Sequence, residues 1–262
     1  MSSPTSPSTR VEDCKRALIR RCDDRGGGSP TVEDSIRELE RLGEDLGFGQ
    51  ASSMSGLING VCHACIIVSL NIKYAARELV YSPDDVTRSS PFFWAFRRAF
   101  PDSSDQIFGI TDAIPAPLKV VGPATQTIDV DSSSGSFSTG TLVSRVKVAT
   151  LGGVASSIMT TRCTVLGADG PDTLRMRVTS TKPEESTILS KLGPLGEFAN
   201  SSSPPFPSGD ALDRVAPGSS EVVMRTTYCD EGLRISRNVD RPEEDVFVWK
   251  RVKFGSGNTV SL

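Results

Sequence analysis

Cys62-His63-Ala64-Cys65 is the one arrangement in this chain whose residue types and spacing could hold a metal or cycle a dithiol. Thiolate and imidazole are ligands that zinc prefers, but a closed zinc site takes four of them, and no second pair stands at ribbon or finger spacing. The order is not Cys-x-x-Cys-His, so haem attachment does not follow. His63 is the sole histidine, which removes the commonest general base from every other part of the chain. Gly-x-Ser-x-Gly, Gly-x-Gly-x-x-Gly, a Walker loop and His-Glu-x-x-His are all absent from the sequence. Carboxylates are plentiful, but no pair is marked out by spacing. The expectation is a protein that is not an enzyme and has no catalytic residue, metal or cofactor, with Cys62 and Cys65 serving as small apolar side chains. The remaining polar constellation is Asp230 with Arg234 and Arg237. Alternation puts Arg234 and Ser236 on one face and Leu233, Ile235 and Arg237 on the other, so Asp230 can pair with one of the arginines or simply form a turn.

The elements that must position these residues are mostly strands. Glu221 to Tyr228 alternates Val222, Met224, Thr226 and Tyr228 against Glu221, Val223, Arg225 and Thr227, the period of a sheet with one wet side. Asp230-Glu231-Gly232 reads as a turn, Leu233 to Arg237 resumes the alternation, and Val246 to Val252 closes a meander. Upstream, Glu78–Ser82, Gln106–Thr111, Leu118–Val121, Thr125–Val130, Gly140–Ala149, Ser157–Leu166 and Thr173–Thr181 read as further strands between Gly/Ser/Pro turns, and so many antiparallel strands point to closure. Alternation aims Leu142, Val146, Val148, Met159, Cys163, Val165, Leu174, Met176, Val178, Val222, Met224 and Tyr228 inward.

Helices are expected at Asp13–Arg21 and from Thr31, where Val32, Ile36, Leu39, Leu42 and Leu46 form one stripe. A third is expected at Ser90-Pro91-Phe92-Phe93-Trp94-Ala95-Phe96-Arg97-Arg98-Ala99-Phe100, with Ser90 as N-cap and Pro91 first in the helix. Phe92, Phe96 and Phe100 share a face there, and Phe93 and Trp94 point partly elsewhere. Residues 184–218, rich in Pro, Gly and Ser, read as a long loop of the kind that serves as a lid, a partner surface or a disordered segment.

The segment Tyr228-Cys229-Asp230-Glu231-Gly232-Leu233-Arg234-Ile235-Ser236-Arg237 resembles the C-terminal signature of the plastid lipid-associated protein (PAP/fibrillin) family. The likeness extends over roughly Val11 to Val252 and takes in Asn59-Gly60, Tyr81-Ser82 and the Ser-Pro-Phe-Phe-Trp-Ala-Phe-Arg block. In the family, the first strand begins Asn-Gly-x-Trp-x-Leu-x-Tyr. Here residues 61–76 intervene, and Arg77 stands where Trp is expected. That stretch is either a natural insertion or translated sequence from a wrongly joined or retained intron, and the second explanation is preferred.

The resemblance implies a mainly β fold: a lipocalin-like antiparallel β-barrel over residues 51–254 preceded by helices over 11–50, with a disordered remnant or start of a transit segment at 1–10 and a tail at 255–262. It also implies a plastid (chloroplast) location at thylakoids or plastoglobules, and a role in binding or storing apolar lipids such as isoprenoids, carotenoids or fatty acyl chains. On that reading Val146, Val148, Met159, Cys163, Met176, Val178, Met224 and Tyr228 line the ligand. Asn59, Gly60, Tyr81, Asp230, Arg234 and Arg237 are the polar positions of the motif, and an Arg could orient a lipid carboxylate or headgroup. Phe92, Phe93, Trp94, Phe96, Arg97 and Arg98 either cap the barrel as a lid or dock on a membrane or lipid-droplet surface. The competing expectation is a scaffold with a packed barrel and protein partners of unknown kind.

Composition narrows the rest. A 262-residue chain with 37% hydrophobic residues and 23 Gly can bury a core. A net charge of −3 and a pI near 5.4 provide no basic face for phosphates, so nucleic acid is not an expected partner. The six Cys form no disulfide framework. No apolar run approaches the ~18 residues of a spanning helix.

Overall fold

Eight strands form the body of the protein in a computed structural model: β1 (Arg77–Tyr81), β2 (Lys119–Val130), β3 (Gly140–Thr150), β4 (Ala155–Ala168), β5 (Thr173–Glu184), β6 (Glu221–Cys229), β7 (Leu233–Asn238) and β8 (Val246–Arg251). The structure describes residues 7–23, 30–47, 77–81, 89–104, 119–130, 140–150, 155–191, 193–194, 197, 202–243 and 245–251. Each strand runs antiparallel to its sequence neighbour, and β8 returns to pair with β1. The thinnest seam is β1 with β2, joined through Arg77 opposite Gln126 and Glu78 opposite Thr125.

Alternation decides which side chains enter the barrel. In β3, Leu142, Ser144 and Val146 are buried while Val143, Arg145 and Lys147 are half-buried on the outer side. Cross-strand pairing carries the same face around the wall, with Leu142 opposite Cys163, Ser144 opposite Thr161 and Val146 opposite Met159. Leu174, Met176 and Val178 of β5 and Val222 and Met224 of β6 complete an inner apolar cluster with Ile128, Phe247 and Trp249.

Several expectations need correction. Leu118–Val121 and Thr125–Val130 are not two strands but one, because the register shift between Val121 and Ala124 absorbs Gly122-Pro123 without ending the ladder. Tyr228 does not face the lumen. The pairing of β6 with β7 shifts between Thr226 and Tyr228, and such an irregularity reverses the alternation beyond it. Tyr228 therefore packs outside with Leu233, Ile235, Val246 and Val248, under the N-terminal helices. The expected strand Gln106–Thr111, along with Asn59, Gly60 and residues 61–76, lies outside the described residues.

Helices α1 (Pro7–Asp23) and α2 (Pro30–Asp45) cover this outer apolar patch. Helix α1 begins at Pro7, ahead of the start at Asp13 expected from the spacing. Val11 and Leu18 of α1 and Val32, Ile36, Leu39 and Leu42 of α2 are buried against the sheet. Leu46 lies beyond the end of α2 and is exposed, so the stripe stops one turn earlier than its spacing suggests. Glu40 of α2 anchors the pair: it accepts two bonds of 2.9 Å from Arg237 and one of 2.5 Å from the Thr227 hydroxyl. A charge-assisted bidentate bond of this kind is directional as well as strong.

Helix α3 (Pro91–Ala99) enters one end of the barrel, and residues 184–218 carry α4 (Thr187–Ser190) and α5 (Ser208–Val215). Leu212 of α5 joins the inner cluster. The backbone of α5 approaches β5 so closely that a Cβ on Gly209 would stand 1.9 Å from the Val178 carbonyl oxygen. The stretch between β5 and β6 therefore seals the wall where β5 runs on past its pairing with β6.

Candidate functional site

Two groups of side chains converge inside the barrel: an apolar set capped by α3, and a polar set on β2, β3, β6, β7 and β8. The cap forms because Ser90 leaves extended backbone just ahead of Pro91, whose ring suits the first helical position. The Ser90 hydroxyl bonds inward to Thr161 Oγ1 at 3.1 Å instead of capping its own helix. Trp94, Ala95 and Ala99 are buried in the inner cluster, and the Trp94 ring stacks on Phe247 with centroids 5.7 Å apart and planes at 24°. Phe92, Phe96 and Phe100 pack around that contact as partly buried neighbours. Phe93 is half-buried, with its ring edge-on to Phe92 at 5.7 Å.

By spacing, Phe92, Phe96 and Phe100 share one face and Trp94 points partly elsewhere. The structure puts Trp94 at the centre of the contact, so Trp94 is not available for membrane docking. The helix also holds to the rim by charge. Arg97 donates to Asp245 Oδ2 at 3.3 Å, and Asn238 Nδ2 donates to the same oxygen at 3.0 Å. Arg98 donates to the Glu221 carbonyl and lies 3.8 Å from Asp240. Arg97 and Arg98 thus latch the cap to the ends of β6, β7 and β8.

The polar set begins with Arg234, which is 1% exposed although it carries a full charge. Its Nη2 donates to Gln126 Oε1, and its guanidinium carbon lies 5.3 Å from the centroid of the Trp249 ring. Cation–π contact of this kind contributes roughly 0.5–2 kcal/mol. Trp249 Nε1 donates to Ser236 Oγ at 2.8 Å, and Ser236 stands opposite Thr226. On the other side Gln126 stands opposite Ser144. Gln126 Nε2, Ser144 Oγ and Thr226 Oγ1 are buried without a hydrogen-bond partner among the described residues, although such atoms are costly to leave unmatched.

Sequence reasoning placed Arg234 with Ser236 on one face, as the strand has them, but missed Gln126, Ser144, Thr226 and Trp249. Their signal lies in the inner alternation. Ala124-x-Gln126-x-Ile128 and Leu142-x-Ser144-x-Val146 each place one polar residue between two apolar ones on a face that otherwise repels water.

Asp230 pairs with neither arginine. Its Oδ2 meets Lys15 Nζ at 2.7 Å and accepts the Tyr228 hydroxyl at 2.6 Å. The arginines are taken elsewhere, Arg234 into the lumen and Arg237 onto Glu40. Burial and the adjoining carboxylate push the Tyr228 hydroxyl well above its usual range, so it stays a neutral donor at any physiological pH.

Of the proposed lining, Val146, Cys163, Met176, Val178 and Met224 are buried, and Val148 and Met159 are half-buried. Burial also pushes the Cys163 thiol far above its ordinary value, which leaves it unreactive as a nucleophile. Tyr81 ends β1. Cys62, His63 and Cys65 lie outside the described residues, and among those described no cluster of His, Cys, Asp and Glu could hold a metal ion. No described helix is long and apolar enough to cross a membrane.

Compared with protein-family models, with curated proteins and with solved structures, the chain finds no match.

Proposed function

We propose that this protein is a non-catalytic, lipocalin-like lipid carrier whose barrel holds an apolar ligand beneath the α3 cap. The observation that carries this reading is the inner face of the barrel. Strands β2 to β6 and β8 converge on it with Ile128, Leu142, Cys163, Met176, Val222, Met224 and Trp249, and the cap is one helix held by side-chain contacts at the rim. Met176 and Met224 are unbranched and polarisable, so they can adapt to ligands of differing shape. An apolar chain lying there would be held by burial at about 25 cal/mol per Å². The likeness of Tyr228 to Arg237 to the plastid lipid-associated family supports a plastid setting at thylakoids or plastoglobules, with isoprenoid, carotenoid or fatty acyl ligands. Organic extraction of the purified protein followed by mass spectrometry tests the reading. A stoichiometric lipid is expected, and protein purified from a plastid extract without one would defeat it.

A second reading is favoured by the Trp94–Phe247 stack, which fills the mouth of the barrel with the protein's own side chains. On this reading the barrel is a packed scaffold that serves protein partners. The same extraction separates the two, since a scaffold returns no bound lipid.

A further inference from the structure

We infer that the ligand carries a carboxylate, and that Gln126 and Ser144 hold this head with Arg234 behind them. The inference rests on the reading of the barrel as a lipid site and names the chemistry at one end of that ligand. Gln126 Oε1 accepts from Arg234, which turns the other end of the amide, with its two N–H donors, away from the guanidinium. That nitrogen is buried and has no acceptor among the described residues. Directly across the β2–β3 ladder stands Ser144, 0% exposed, whose hydroxyl is equally unpartnered. Cross-strand partners on one face carry their Cβ atoms about 4.5–5.5 Å apart, a span that one small planar group bridges.

Both orphaned groups can donate, and the nearest charge is positive. The group that fits is acceptor-rich and anionic, and an ionised carboxylate is acceptor-only with two oxygens to share between two donors. Arg234 acts through Gln126: by polarising the amide it strengthens the Nε2 donors, and its field favours the charged over the neutral head. The neighbouring inner residues Ile128, Leu142 and Cys163 are apolar, so the group attached to the carboxylate is a hydrocarbon chain. The ligand class is a long-chain monocarboxylic acid. A buried water could also bridge Gln126 and Ser144, but it would impart no preference between charged and neutral ligands.

The test uses the full chain, stripped of lipid, in displacement titrations with hexadecanoic acid and hexadecan-1-ol at neutral pH. The acid is expected to bind roughly tenfold tighter or more, the range of one charge-assisted hydrogen bond. Ser144→Ala and Gln126→Leu should each weaken the acid by roughly tenfold and leave the alcohol within about twofold. Ser144→Ala removes a hydroxyl that has no partner, so its melting temperature should hold even where Gln126→Leu disturbs Arg234. Gln126→Glu supplies an internal carboxylate to Arg234 and should abolish acid binding while leaving the alcohol. Equal affinity for acid and alcohol in the parent, or unaltered acid binding in both Ser144→Ala and Gln126→Leu, would overturn the carboxylate and return the site to water. Failure of both ligands to bind would instead sink the lipid reading of the barrel.

Discussion

Lys15 Nζ lies 2.7 Å from Asp230 Oδ2 and joins the first helix to the turn between β6 and β7. Both oxygens of this carboxylate are fully engaged. Oδ1 accepts the backbone N–H groups of Gly232 and Leu233 at 2.7 Å each, and Oδ2 takes the Tyr228 hydroxyl together with Lys15. One side chain thus closes the turn, fixes the outward tyrosine and receives α1.

The clamp has a defined pH window. Burial alone would raise the Asp230 pKa, but hydrogen bonds from Lys15, Tyr228 and the Leu233 N–H outweigh it and hold the carboxyl below its ordinary value. For Lys15, burial works downward and is outweighed by bonds to Asp230 and Glu12, which raise it. A lowered acid contributes stability above its unfolded pKa and loses it as pH falls through the folded one. A raised base contributes below its unfolded pKa and loses it as pH rises through the folded one. The clamp therefore acts between the carboxylate and ammonium ranges. Asp230→Asn should lower stability by about 1–3 kcal/mol at neutral pH, with the gap to the parent closing in strong acid. Urea melts of both proteins across pH check this, and a gap that persists in acid would remove the charge from the explanation.

The two faces of β5 and β6 should respond differently to the same substitution. Met176 and Met224 are wholly buried in the lumen, so Met176→Asp or Met224→Asp strands a charge there and should prevent folding. Arg225 is exposed and, among the described residues, its one ion pair is with Asp172 at 2.7 Å, so Arg225→Asp should change stability by no more than about 0.5 kcal/mol. Arg177 is intermediate. Its Nη2 bridges Asp210 and Asp213 of α5 at 2.8 and 2.9 Å. Arg177→Asp then gathers three acids and should cost about 1 kcal/mol, since the site is solvent-screened. Thermal melts of the set check the register, and equal losses on both faces would contradict it.

The alternation of Gly140 to Ala149 or Glu221 to Met224 makes the wall of the barrel legible, because a side-chain period of two survives whatever the loops do. Tyr228 was misread for the same reason. The irregularity after Thr226 leaves no mark in composition, and periodicity extended through it gives the wrong face. The aromatic helix was legible as a helix from Ser90-Pro91, but not in orientation, since four aromatic residues in nine offer several apolar faces and only packing against Phe247 selects Trp94. Of the two roles open to Asp230, the turn is the one the structure shows, with Oδ1 accepting from Gly232 and Leu233; its cation, Lys15, lies more than two hundred positions away and leaves no local signal. The lumenal polar set was readable in parts, but only the closed wall brings Gln126 and Ser144 into reach of Arg234.

Gly209 offers a test of how tightly α5 seals the wall. In an exposed helix, Gly→Ala stabilises by roughly 1 kcal/mol through propensity. Here the added methyl would meet the Val178 carbonyl at 1.9 Å, and that carbonyl is backbone that cannot rotate aside. Gly209→Ala should therefore destabilise by about 1–3 kcal/mol, the usual cost of overpacking. A raised melting temperature would mean that α5 can shift away from β5 without loss.

The cap and the docking surface are separable because Trp94 serves only one of them. Trp94 is 3% exposed and its ring is stacked on Phe247, so Trp94→Ala opens a void in the barrel mouth and should cost about 3–5 kcal/mol. Phe93 is half-buried at the edge of the same helix, and Phe93→Ala should cost less than half as much. Neither change should alter co-sedimentation with vesicles of galactolipids containing an anionic component, because the inner face of α3 is committed to the barrel and Arg97 and Arg98 are committed to its rim. Thermal melts run beside sedimentation of each variant check both statements together. A Phe93→Ala protein that sediments poorly while melting normally would make α3 a membrane contact, since interfacial aromatic residues bury little in the free protein. A sharply lowered melt for Trp94→Ala with sedimentation unchanged is the expected result, and it assigns the helix to closing the barrel.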